Sequence, residues 1–277
     1  MKDLIISIER AVSPCLITSI SAGSGGEGRC FSEPLSWKTR LSAQILAASL
    51  ILALIALTAP VQAATDAAVF FAGCPNIDVT EDTAVTGMAV VAGPCTVTVA
   101  DGVRSMKFEQ LDLETDHDLT IDGTAANKLL VLFKNSTVEV HGGLSIATGR
   151  GNVSIKENSS LTAGGVLVIG ADDGDILIKA SDLDGGVVSV TTESGDIVYK
   201  ESSMAASALF SVLATVANGD ITVKDSDFST LVLGIGIFAA DKALVKGNDF
   251  NPGFVGLVLI TGNPCISKSN DPAVPCS

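Results

Sequence analysis

Between residues 100 and 270, short runs in which apolar and polar residues exchange at every second position are separated by clusters of Gly, Asp, Asn and Ser. Ile176 and Ile178 fall on one side of such a run, and Asp175, Leu177 and Lys179 on the other; a period of two marks a strand with one buried face. A polar turn, Ala180-Ser181-Asp182, follows, then a single apolar residue, Leu183, then a second apolar run, Val187–Val190. The spacing leaves no room for a helix. Each unit is therefore expected to be strand–turn–strand, with Gly-Asp returning the chain to its start.

The unit repeats. Gly151-Asn152-Val153-Ser154-Ile155-Lys156, Gly174-Asp175-Ile176-Leu177-Ile178-Lys179, Gly195-Asp196-Ile197-Val198-Tyr199-Lys200 and Gly219-Asp220-Ile221-Thr222-Val223-Lys224 are copies of one segment. Weaker copies end at Lys134, Lys246 and Lys268, and successive lysines are 22, 23, 21, 24, 22 and 22 residues apart. A constant period of this length with β-branched strands predicts an all-β solenoid whose coils stack at the inter-strand spacing, about 4.8 Å. Equivalent residues then form ladders. Ile176, Ile197 and Ile221 are expected inside, as are Leu183, Met204, Phe228 and Phe250. Asn158, Ser181, Ser202, Ser226, Asn248 and Asn270, each two positions after a lysine, are expected to bond along the stack at a turn.

The coil length, the stacked Asn/Ser turns and Lys246-Gly247-Asn248-Asp249-Phe250 resemble the right-handed parallel β-helix proteins of bacterial secretion, the pectate-lyase-like solenoids, over roughly residues 100–270. The resemblance implies a right-handed single-stranded parallel β-helix with coils of about 22 residues. That architecture hosts lyases, hydrolases, epimerases, adhesins and passive surface proteins, so it does not select an activity.

The ends read differently. Lys38 and Arg40 precede an apolar run from Ala43 to Ala59, and Val61-Gln62-Ala63 places small residues before a cleavage site, the pattern of a signal peptide over 37–63. Residues 1–36 have no period and are expected to be an upstream extension without fold. Residues 64–105 are expected to form an N-terminal cap and 106–277 the β-helix with a C-terminal cap. Export makes the four remaining cysteines disulfide candidates. Cys74 and Cys95 are one coil apart, and Cys265 and Cys276 enclose a short loop, so both pairs are expected to close solenoid ends that otherwise expose strand edges. The expected location is secreted, periplasmic or on the cell surface.

Charge narrows the partners. From residue 64 onward there are 12 basic and 27 acidic residues, which opposes binding to nucleic acid. Asp175, Asp196 and Asp220 should stack, with Asp172 and Asp173 beside them, a set that could hold Ca²⁺; the favoured alternative is that each carboxylate caps backbone amides and faces water. No other cofactor is suggested, and the two histidines, His117 and His141, are isolated in sequence. The lysine ladder is expected to be a solvated face paired with Glu157, Glu201 and Asp225. Paired carboxylates could serve glycoside chemistry, but coils of 21 to 24 residues leave no insertion to wall a cleft, and no catalytic residue is assigned.

The second apolar run stands apart. Gly165–Gly170, Ala208–Val216, Leu231–Ala239 and Phe254–Ile260 lose the alternation, so both faces are apolar and one must meet a partner or be exposed. Leu209, Leu233, Phe238, Phe254 and Leu257 are the expected contact residues, toward a second copy or another protein. The expectation is a non-enzymatic exported protein with a structural, adhesive or other surface-interaction role. The alternative is a polysaccharide-active enzyme or glycan-binding module.

Overall fold

A computed structural model describes residues 63–277; the expected signal peptide and upstream extension lie outside the described residues. The chain forms a parallel β-solenoid of about nine turns with coils of about 23 residues. Its lysines are in register, Lys134 against Lys156, then Lys179, Lys200, Lys224, Lys246 and Lys268. The inner ladders are also as expected. Ile176, Ile197 and Ile221 stack and are buried, as do Leu183, Met204, Phe228 and Phe250. Tyr199, Phe228 and Phe250 pack ring to ring up the core at 5.1 and 5.4 Å.

Each coil has three strands rather than two. A lysine sheet contains Ile176–Lys179 and its equivalents. An acidic sheet follows the turn, as in Ser203–Ala206 and Asp227–Thr230, with Asp182, Asp184 and Asp227 facing out. The third sheet carries the second apolar run, as in Ser211–Thr215, Ile235–Phe238 and Val258–Thr261. The apolar residue after each turn thus belongs to a strand of its own. The pair Gly185-Gly186 carries the chain from the second sheet to the third within the continuous strand Asp182–Ser194. The solenoid also starts earlier than residue 106. Asn76–Val79 already pairs with Cys95–Val99, and Thr83–Val91 with Ser105–Thr115.

The corner between the lysine and acidic sheets is built the same way in coil after coil. The residue after the ladder position is left-handed: Asn135, Ala180, Glu201, Asp225 and Ser269 have φ between 48° and 54°. The next residue points its side chain inward and accepts a backbone N–H from the coil before it. Ser202 accepts from Ser181 at 3.2 Å, Asn248 from Ser226 at 3.0 Å and Asn270 from Asn248 at 3.0 Å. Each serine hydroxyl also donates to the carbonyl two residues back, as Ser181 does to Lys179. One position differs from expectation. After Lys156 the turn holds an extra residue, so Glu157 and Asn158 are both left-handed and Ser159, not Asn158, takes the buried place.

Both disulfides are present, Cys74–Cys95 and Cys265–Cys276. At the N-terminal end, helix α1 (Ala67–Phe71) is capped by Asp66 and buries Ala67 and Phe71 against the core. At the other end the tail bonds to the last coil through Asp249–Asp271 and Ser277–Ile260, and Val274 packs on the core.

These corners set two expected outcomes in urea unfolding. Asn248→Ala leaves the Ser226 N–H unsatisfied in the interior and should lower stability by about 2 kcal/mol. Ala180→Gly removes the left-handed penalty at a half-buried turn position and should raise stability by about 0.5–1 kcal/mol after the chain-entropy cost of glycine.

Candidate functional site

The third sheet changes character along the solenoid. One outward column reads Thr96, Thr120, Ser145, Val168, Ser189, Val212, Gly236 and Leu259. Its neighbour runs from Asp78 and Thr98 to Phe238 and Thr261. The outer face is therefore hydroxylated near the N-terminus and apolar over the last coils. Leu209, Leu233, Phe254 and Leu257 are all exposed, Phe254 by 88%, with Leu231 and Val255 beside them. The expected contact residues are thus brought to one end of one flank, except that Phe238 is only half-buried cover for its own sheet. The segment 64–105 lies at the opposite end of the stack and does not cover this flank.

Within the flank is a groove of about 270 Å³. Phe210 and Val212 line one side and Leu257 and Leu259 the other, because Gly234 and Gly236 separate them in the register. The glycines make the floor. A Cβ on Gly236 would come within 2.4 Å of the Phe238 ring, which leans over it, and one on Gly234 within 2.1 Å of the Leu257 carbonyl oxygen. Among the lining residues only Ser211 is polar, and it is buried on the core side.

The acidic residues divide into two groups. Asp175, Asp196 and Asp220 form a ladder that serves the backbone. The Asp175 N–H donates to Asn152 Oδ1 at 2.8 Å, that of Asp196 to Asp175 at 2.9 Å and that of Asp220 to Asp196 at 2.8 Å. Asp220 in turn accepts from the Lys242 N–H at 3.1 Å. Asp172 and Asp173 lie elsewhere, in a cleft of about 580 Å³ with Arg150, Glu193, Asn127 and Asn218. The five residues considered together for Ca²⁺ are thus not one cluster. Among the described residues no group of three or more His, Cys, Asp or Glu is placed to hold a metal.

The cleft corrects the expectation that no insertion builds a wall. Four steps from Gly123 to Asn127 face two steps from Thr148 to Arg150, and Leu129 then pairs with Gly151. The surplus residues widen this coil: Ala126 is buried in the core, while Thr124 and Asn127 line the cleft, Asn127 bonded to Asp101 Oδ1 at 2.9 Å. The lysine ladder is a surface feature, with Lys134 paired to Glu157 at 3.1 Å and Lys224 to Asp225 at 3.6 Å.

His141 is isolated in sequence but not in space. Its Nδ1 is 2.6 Å from Asp116 Oδ1 and its Nε2 3.3 Å from Glu139 Oε1. Hydrogen bonds to Asp116, then to Glu139, raise its pKa above the usual imidazole value. A raised folded-state pKa stabilises fully below the unfolded value and is lost as pH rises through the folded one. An NMR titration should show His141 titrating above the ordinary imidazole range, and Asp116→Asn should bring it down.

No family model, no curated protein and no solved structure matches the chain. Among the described residues no helix is long and apolar enough to cross a membrane.

Proposed function

We propose that the protein is an exported, non-enzymatic β-helix of the bacterial secreted type that works as an interaction surface, with the apolar end of its third sheet as the contact. The observation that carries this is the contiguous exposure of Leu209, Leu231, Leu233, Phe254, Val255 and Leu257 around a glycine-floored groove. Soluble proteins rarely leave a large contiguous apolar patch in water without a partner. Two disulfides support export, since such bonds persist in oxidising compartments. The groove has no polar group to orient a small substrate, which favours a macromolecular contact over a ligand site.

The reading is tested with a polarity-sensitive naphthalene dye. Wild type should bind it, and the double variant Leu233→Lys/Leu257→Lys should lose most of that signal while keeping its circular dichroism. Equal dye binding by both proteins would remove the proposed surface.

A second reading has one observation in its favour, the cleft in which Arg150 faces Asp172, Asp173 and Glu193. Such a set suits a neutral glycan chain, or an anionic one with Ca²⁺ bridging its carboxylates to those of the cleft, and lyase chemistry of the pectate type would use Arg150 as its base. Screening uronic-acid and neutral polysaccharides with and without Ca²⁺ separates the two. The interaction-surface reading expects no new reducing ends and no unsaturated products. Turnover that Arg150→Ala abolishes would replace it with the glycan reading.

A further inference from the structure

The last two coils differ from the rest of the solenoid in charge as well as in polarity. Residues 231–277 carry Lys242, Lys246 and Lys268 against Asp241, Asp249 and Asp271, and so are neutral. Residues 64–230 carry 9 basic and 24 acidic residues, which is the entire excess of the solenoid. Two copies approaching anywhere along that region repel each other, and they meet without penalty only at the neutral end. The apolar groove lies at that same end, between Phe210 and Leu257.

The end also carries a knob. Phe254, 88% exposed, sits in the turn leading into the strand Leu257–Thr261, which lines the groove. Its backbone is fixed on the coil below by the N–H bonds from Phe254 to Leu231 and from Val255 to Val232. An apolar cavity of about 150 Å³ accepts a benzene ring. The groove, at about 270 Å³, has room for a phenyl ring. A knob and a hole on one patch of one chain make that patch self-complementary, the requirement of a two-fold interface.

We propose that the occupant of the groove is a second copy of this chain, docked across a two-fold axis with Phe254 of each copy in the Gly234–Gly236 groove of the other. The proposal rests on the interaction-surface reading and names its partner. A lipid surface fits less well, because the neutral end offers three lysines balanced by three aspartates to an anionic headgroup layer.

The test is sedimentation of the protein expressed for export from its complete sequence, over a concentration series. Wild type should sediment as a dimer. Phe254→Glu and Leu257→Lys should each be monomeric, with circular dichroism and unfolding midpoint unchanged. Their equimolar mixture should recover the dimer, since one native knob meets one native groove and the carboxylate introduced in one copy meets the ammonium introduced in the other. Phe254→Ala, at an almost fully exposed position, should weaken the dimer at least tenfold and guards against a folding defect in the charged variants. A wild type that is monomeric throughout, or a dimer indifferent to Phe254 substitution, overturns the proposal. If that wild type still binds the dye in a manner sensitive to Leu233→Lys/Leu257→Lys, the interaction surface stands and its occupant is another molecule; if it does not, both fall.

Discussion

Every coil of this chain has to turn from the lysine sheet to the acidic sheet in two or three residues, and that corner has to satisfy backbone groups that water does not reach. From Lys134 onward the solution is one left-handed residue, two after Lys156, followed by an inward Ser or Asn whose side chain takes the N–H of the neighbouring coil; one coil earlier Leu111 fills the inward place and its own N–H goes to Ser136. Because the acceptor comes from the next coil, each corner is complete only when another coil is stacked on it. The Asn152–Asp175–Asp196–Asp220 ladder, at the corner that enters the lysine sheet, runs the other way: each backbone N–H is accepted by a side-chain oxygen of the coil before it. Coil length is thereby fixed: a residue added at a corner displaces the acceptor unless, as at Ser159, a hydroxyl one position later fills the place.

Uniform coils make a uniform surface, so distinctive sites arise where uniformity is broken without breaking the ladders. The Arg150 cleft and the apolar groove arise in this way. The surplus residues between Gly123 and Asn127 widen one coil around a buried Ala126, and the pairing of Leu129 with Gly151 follows, giving the Arg150 cleft its wall. The exchange of outward side chains for Gly234 and Gly236 leaves the backbone pairing intact and removes only volume, giving the apolar groove. Addition of backbone makes a polar recess lined by exposed carboxylates; deletion of side chains makes an apolar one.

The period, the ladders and both disulfides were legible in the sequence because lysine, Gly-Asp and the inner apolar positions recur at fixed offsets. What was hidden follows from the same offsets. The strand that holds Leu183 is hidden because Gly185-Gly186 follows so soon that it shows only one inward apolar residue between the turn and the second run. The coils before Lys134 lack the lysine; Glu109 holds its position opposite Lys134, and Val85 pairs with Phe108 one coil earlier still, so a count of lysines starts at least two coils late. That same substitution conceals the insertion, since the coil from Glu109 to Lys134 is the long one. Asn158 has the right residue type at the expected spacing, and only the extra turn residue moves Ser159 into its place. The pairing of His141 with Asp116 joins residues 25 apart and leaves no local signal.

The apolar flank was legible as a loss of alternation, but its meaning depends on where the coils put it. Spread along an acidic rod it would be a weak, repelled surface. Confined to the end where Lys242, Lys246 and Lys268 balance Asp241, Asp249 and Asp271, it combines exposed area with the absence of repulsion. The acidic coils then do two things at once: they keep the sides of the solenoid apart from other copies, and they leave the neutral end as the place where apolar burial, at roughly 25 cal/mol per Å², is not opposed by charge. The proposed pairing, with knob and groove on one patch, would close on itself and end at two copies, whereas a knob on one end and a groove on the other would extend into fibres. A solenoid with open strand edges at its ends is exposed to such growth. The helix and disulfide at one end, and the tail, disulfide and self-complementary patch at the other, are consistent with a chain in which end-to-end growth is limited at both.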